Sequence, residues 1–254
     1  MGARDAGGKV VTVSTTFTPH WQMITLGCRQ ALEALAGLPF MGAFYLAGGT
    51  ALALQIGHRL SQDLDWFSTT ANLEQAEREE IRAALSGVGG FEITAERNGM
   101  IYSRMFGSEV SFISQHHPLI EPPLSLKGLA VASPIDIGLM KLAAIKDRGT
   151  RRDFVDIFCL RQLAPLTRLI DLADQKYTDR PDFTTILARA LAYFDDAERQ
   201  PLPDLATPIK WAEVKRYAEA GARYVVERER DKAQRGARRG ALSHNGPGFP
   251  GISM

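Results

Sequence analysis

An α+β fold, with a small mixed sheet and flanking helices followed by a helical C-terminal part, is predicted by three features of the 254-residue sequence. Phe40 to Ala47 is a short apolar run that stops at Gly48-Gly49 and gives way to Thr50-Ala-Leu-Ala-Leu-Gln-Ile, which is rich in helix formers. Asp63 to Ser68 alternates, Leu64 and Trp66 pointing one way and Asp63, Asp65 and Phe67 the other, which is the period of a strand. From Ser133 to about Arg230 apolar residues recur at helical spacing.

The remaining elements follow in order. Residues 1–16 mix Gly, Thr, Ser and charges without an apolar core segment, so they read as a disordered tail with no secretory signal. Pro19 to Ala36 predicts a first helix, with Trp21, Ile24, Cys28, Leu32 and Leu35 on one face behind a first-turn proline. Asn72 to Leu85 reads as a charged surface helix capped by Asn72 and broken by Gly87 to Gly90. Three short strands are expected at Phe91–Glu96, Met100–Phe106 and Glu109–Ser114, joined by Asn98-Gly99 and Gly107-Ser108 turns into a meander. Pro122-Pro123 marks a loop. Ser133-Pro134-Ile135-Asp136 combines a cap, a first-turn proline and an N-terminal acid, and so starts a helix. Stripes at Leu139, Leu142, Ala143, Ile145 and at Phe154, Ile157, Phe158, Leu160 are split by Gly149, and further helices are expected near 165–176, 182–197 and 208–230. The expected organisation is a core over 17–132, a helical domain over 133–232 and a second disordered tail over 233–254.

Thirty Lys plus Arg against 29 Asp plus Glu leave a formal charge of +1, so any contact with nucleic acid must be a local patch and no membrane surface is favoured. Leu35 to Gly57 is nearly uncharged but contains Pro39 and five glycines, which suits a buried strand, turn and helix rather than a span. Cys28 and Cys159 lie in apolar helical patterns far from one another, which excludes metal-ligand spacing and fits a reducing, cytoplasmic setting.

Two carboxylates at i and i+2 on a strand project from one face with Cα atoms roughly 6.5 to 7 Å apart, so their oxygens can converge on a divalent metal. Mg²⁺ suits such a pair because it takes few protein carboxylates and completes its shell with water and substrate phosphates. Gly48, Gly49 and Thr50 open a helix, presenting free N–H groups, the positive end of the helix dipole and a hydroxyl to an anion. Twelve residues separate Thr50 from Asp63, enough for one buried helix and a turn. The competing readings are an ordinary Gly-Gly turn and a solvated Asp-x-Asp. Lys141 sits in an apolar stripe, where its ammonium needs a triphosphate or Asp63 and Asp65 as partner, or else snorkels to the surface. Arg152 and Asp153 also fit a structural ion pair between helices, His58 a helix-end residue, and Trp66 a core residue. His116-His117 lacks a third ligand in register.

The stretch Tyr45-Leu-Ala-Gly-Gly-Thr-Ala-Leu-Ala-Leu-Gln-Ile-Gly-His58-Arg59-Leu-Ser61-Gln-Asp63-Leu-Asp65-Trp-Phe67-Ser68 closely resembles the signature of the AbiEii/AbiGii toxin family, a branch of the DNA polymerase β-like nucleotidyltransferases. Asp136-Ile-Gly-Leu-Met-Lys141 through Arg148-Gly-Thr-Arg151-Arg152-Asp153-Phe-Val-Asp156 resembles that family's second block, and together the two span roughly 30–165. The resemblance implies a nucleotidyltransferase-like sheet. It implies Gly48, Gly49 and Thr50 at the triphosphate, Asp63 and Asp65 on Mg²⁺, Lys141 near the phosphates, and Asp153 or Asp156 as a further site residue. It also implies a nucleoside triphosphate substrate, a tRNA acceptor and a toxin or phage-defence role beside a cognate antitoxin. One departure stands out: where such enzymes carry a third acid on a later strand, this sequence has Ser111; Glu109, two residues earlier on the same face, could substitute but reads first as a surface glutamate at the strand end. A catalytically weak or inactive nucleotide-binding module is therefore the alternative, and a glycosyltransferase using Asp-x-Asp is a third reading that leaves Gly-Gly-Thr without a role.

Overall fold

The computed structural model describes residues 15–243. Its centre is an eight-stranded mixed sheet in the order β1-β7-β8-β2-β3-β6-β5-β4. The strands are β1 (Thr15–Thr16), β2 (Tyr45–Ala47), β3 (Asp63–Ser68), β4 (Glu92–Arg97), β5 (Met100–Met105), β6 (Ser108–Ser114), β7 (Leu124–Leu126) and β8 (Leu129–Val131). β4, β5 and β6 form the expected antiparallel meander, with Gly99 and the Phe106-Gly107 pair at positive φ in its two turns. β2 runs antiparallel to β3, and β3 parallel to β6, so the strand carrying Asp63 and Asp65 lies in the middle of the sheet.

Alternation on β3 divides the molecule. Leu64 and Trp66 are fully buried, in line with Val110 and Phe112 of β6. On this face α1 (Leu26–Leu35) packs against β5 and β6, Ile81 and Leu85 of α3 (Gln75–Leu85) join the same buried cluster, and Phe40 and Phe44 meet Phe112 edge to face at 5.7 and 5.4 Å. The opposite face carries Asp63, Asp65 and Phe67 and is roofed by α4 (Pro134–Asp147). α4 leads into α5 (Arg151–Leu160), α6 (Leu166–Lys176), α7 (Phe183–Leu191), the short α8 (Asp195–Glu198) and α9 (Trp211–Ser243). α9 packs Val214, Ala218, Ala222 and Val225 against this helical part.

Several boundaries differ from expectation. The first helix does not start at Pro19: Trp21–Met23 is a 3-10 turn, His20 N–H is bonded to the Leu54 carbonyl at 2.9 Å, and Thr25 caps α1 by accepting from Cys28 N–H at 3.2 Å. α3 is capped by Glu74 rather than Asn72, through a reciprocal capping box with Glu77. Strand β1 takes up Thr15–Thr16, within the segment read as an N-terminal tail. α9 runs to Ser243, past the expected limit at 232; three Ala and three Arg in 233–243 favour helix, against the two glycines at 236 and 240. The rest of the two expected tails, 1–14 and 244–254, lies outside the described residues. Among the described residues no helix is long and apolar enough to cross a membrane.

The start of α4 is as expected, with Ser133 Oγ accepting from Asp136 N–H at 3.0 Å. Asp136 does more than complement the helix dipole. Fully buried, it receives Lys176 Nζ at 2.7 Å and the N–H groups of Ile120 and Glu121, which ties α6 and the loop before β7 to the base of α4.

Candidate active site

Between the open sheet face and α4 lies a cleft of about 590 Å³. At one end it is lined by Gly48, Gly49, Asp63, Asp65, Lys141 and Asp153. Helix α2 (Gly48–Ile56) begins where β2 ends, and Ala47 is the register partner of Asp65, so the first N–H groups of α2 sit beside the carboxylate pair. The glycines are required by proximity. Gly48 has φ +70°, and a Cβ there would lie 2.7 Å from Asp65 Oδ2; a Cβ on Gly49 would lie 2.3 Å from Arg59 Nη2. Because Arg59 is buried and held by Asp156, it cannot swing aside, and Gly49→Ala is expected to destabilise the fold by about 1 to 3 kcal/mol in urea unfolding.

Thr50 departs from its expected role. It is buried outside the cleft lining, and its hydroxyl is held by Ser61 Oγ at 2.8 Å and by the Asp63 carbonyl, to which it donates. Its contribution is to fasten α2 to the start of β3, while phosphate would meet backbone N–H groups.

Asp65 is the strained acid of the pair. Burial pushes its carboxyl above the ordinary value, the charge of Asp63 adds to this, and the ammonium of Lys141 and a hydrogen bond from Ser111 offset it only in part. The register puts Glu109 beside Asp63 and Ser111 beside Asp65, so Ser111 does occupy the neighbouring position on β6 and Glu109 opens onto the same cleft. Two crowded carboxylates, one desolvated, form a site that a hard divalent cation would relieve, and oxygen-only donors suit Mg²⁺. Among the described residues no group of three or more His, Cys, Asp or Glu gathers as a metal site, so the rest of such an ion's shell would be water and substrate oxygen.

Lys141 neither snorkels outward nor bonds directly to Asp63 or Asp65. Its ammonium is buried between Asp156 Oδ2 at 2.7 Å and Asp153 Oδ1 at 2.9 Å. Burial opposes its charge, but the two aspartates outweigh that and raise its pKa. Asp153 also accepts from Arg148 Nε at 3.1 Å and Thr150 Oγ1 at 2.6 Å, so its partner is Arg148, not the adjacent Arg152. Burial works against its carboxylate; Lys141 and Arg148 prevail and hold it at about 2.

Asp156 is fully buried and outside the cleft. Arg59 clamps it with two bonds, at 2.6 and 3.0 Å, and His58 Nε2 lies 2.8 Å from Oδ1. Against burial, Lys141, His58 and Arg59 hold it well below the ordinary carboxylate range. His58 is thus a buried partner of Asp156 rather than a helix-end cation. Burial lowers its pKa, so the neutral ring donates from Nε2 and leaves Nδ1 buried without a partner. Sequence reasoning missed the roles of His58, Arg59 and Arg148; for the first two the available signal was Asp156 between Val155 and Ile157 on α5, a charge among apolar neighbours that needs a buried counter-ion.

A mixed sheet with a carboxylate pair on a central strand and a Gly-Gly helix start beside it is the arrangement that the resemblance to nucleotidyltransferases implies. The sequence matches the family described as nucleotidyl transferase AbiEii toxin, type IV TA system, over residues 30–235. The chain belongs to this family, and is a nucleotidyltransferase of the toxin–antitoxin kind; the match runs beyond the resemblance at 30–165 into α9. It is 31% identical over 203 residues to the uncharacterized protein aq_aa25 of Aquifex aeolicus, covering 78% of this chain and 96% of that one. Among solved structures it is similar to JHP933 from Helicobacter pylori (18% identity, 84% of this chain and 94% of that one, TM-score 0.47). It is also similar to MenT4, a nucleotidyltransferase toxin from Mycobacterium tuberculosis (18% identity, 77% and 82%, TM-score 0.46).

Proposed function

We propose that this protein transfers a nucleotide from a nucleoside triphosphate to an RNA acceptor, tRNA in the first instance, in a Mg²⁺-dependent reaction that makes it a cytoplasmic toxin of an antitoxin-paired or phage-defence system. The observation that carries this reading is the convergence of Asp63, Asp65, the N-terminus of α2 and the cationic side chains Lys141 and Arg148 on one cleft. Asp63 and Asp65 would hold Mg²⁺, which supplies charge stabilisation to the reacting phosphate when bound. The N–H groups at Gly48 and Gly49 take the non-reacting phosphate oxygens. Lys141 is held in place by Asp153 and Asp156 and acts as fixed positive charge, while Arg148, half-exposed at the mouth, follows the phosphate tail. Glu109, which pairs with Asp63 and opens onto the same cleft, would accept the proton of the attacking hydroxyl.

Ser111 favours a second reading, a nucleotide-binding module with weak or no turnover, because a hydroxyl bonded to Asp65 stands where a third acid is expected. Incubation with tRNA, Mg²⁺ and each α-labelled triphosphate separates the two. Label is expected on RNA with at least one triphosphate, and Glu109→Gln should slow its appearance by about 10²- to 10⁴-fold. Absence of transfer with all four, to tRNA or to total RNA, leaves only the binding module.

A further inference from the structure

The cleft has a second end that phosphate and metal do not use. Along β3 and β6, one same-face row past Asp65 and Ser111, the open face turns apolar at Phe67 and Ile113; Met100 of β5 pairs with Ile113, and Tyr102, one row back beside Ser111, reaches towards it with its hydroxyl 3.1 Å from Met100 Sδ. Met140 of α4 lines the same cleft, so this end is a slot between sheet and helix. At its limit stands Gln115, whose carboxamide oxygen lies 2.6 Å from His117 Nδ1, while His117 Nε2 is tied to Asp179 at 3.0 Å. A flat, largely apolar gap with one anchored amide at its edge has the chemistry of a heteroaromatic ring site. Two residues along a strand cover roughly 6.5 to 7 Å, about the separation that a ribose imposes between phosphate and base.

We propose that this slot holds the nucleobase of the incoming triphosphate, between Met140 and the shelf of Phe67, Tyr102 and Ile113, and that Gln115 reads its hydrogen-bonding edge. The inference rests on the phosphate end being the triphosphate site proposed above. The acceptor's terminal base is the competing occupant. The incoming nucleotide is favoured because slot and phosphate end form one continuous cleft with the ribose-length offset between them.

Calorimetric titration with Mg²⁺ and either inorganic tripolyphosphate or each of the four nucleoside triphosphates tests this without RNA. The preferred nucleoside triphosphate should bind about tenfold or more tighter than tripolyphosphate. Met140→Asp and, as a milder change, Tyr102→Ala should remove most of that advantage and leave tripolyphosphate binding unchanged; Gln115→Leu should level the preference among the four bases. Equal affinity of the wild type for tripolyphosphate and all four nucleotides would overturn the slot while the phosphate site stands, and would assign the slot to the acceptor. Loss of tripolyphosphate binding in Tyr102→Ala to the same degree as nucleotide binding would also overturn it. If neither ligand binds wild type in a way that depends on Mg²⁺ and Asp65, the reading of the phosphate end fails, and the slot proposal with it.

Discussion

Asp156→Ala should lower stability by about 3 to 5 kcal/mol in urea unfolding, because it leaves buried Arg59 and Lys141 without their shared counter-ion. The effect is large because three side chains from two places meet at this carboxylate of α5: His58 and Arg59 after α2, and Lys141 on α4. Arg59 lies under Gly49, so the same change should loosen the helix start proposed to bind phosphate. The network also has a pH signature. Asp153 and Asp156 both titrate below the unfolded-chain value of about 4, so each stabilises the fold above that pH, and the contribution is lost as pH falls from about 4 towards 2 and below. The unfolding midpoint of the wild type should drop over that window, and that of Asp156→Asn should start lower and drop less.

The second large effect is the reverse in kind. Asp63→Ala with Asp65→Ala should reduce nucleotide transfer by about 10³-fold or more, since several kcal/mol of transition-state charge stabilisation goes with the metal, yet it should not destabilise the protein. Asp65 has a raised pKa in the fold, so its ionised form opposes folding once pH rises past the unfolded value. Asp65→Asn is therefore expected to be as stable as wild type or more so at pH 7, the trade between stability and function that an active-site charge imposes. Added Mg²⁺ with nucleotide should raise the melting temperature of wild type and not that of Asp65→Asn.

These two groups of acids differ in how far the sequence discloses them. Asp63 and Asp65 were legible because strand alternation and the Gly-Gly helix start are local patterns, and so were the meander and the capped start of α4. Strands β1, β7 and β8 were not, since two or three residues are too few for alternation to register and their pairing is set by distant partners. Thr25 and the Glu74/Glu77 capping box were written in the sequence and outranked by Pro19 and Asn72, whose signals are single residues. The Arg59–Asp156 pair spans 97 positions and leaves no periodicity. Lys141 is legible as a cation in an apolar stripe that needs a partner, but where a triphosphate or Asp63 and Asp65 are the partners expected, one helical hairpin brings Asp153 and Asp156 closer.

The central claim is that Asp63 and Asp65 form a divalent-metal site completed by nucleotide. Mn²⁺ replaces Mg²⁺ at oxygen sites and is visible by electron paramagnetic resonance. Titrated into wild type with saturating triphosphate, Mn²⁺ should show one tightly held equivalent beyond what nucleotide alone retains, and Asp65→Asn should lose it. An equal bound signal in both proteins, or none in either, would contradict the account.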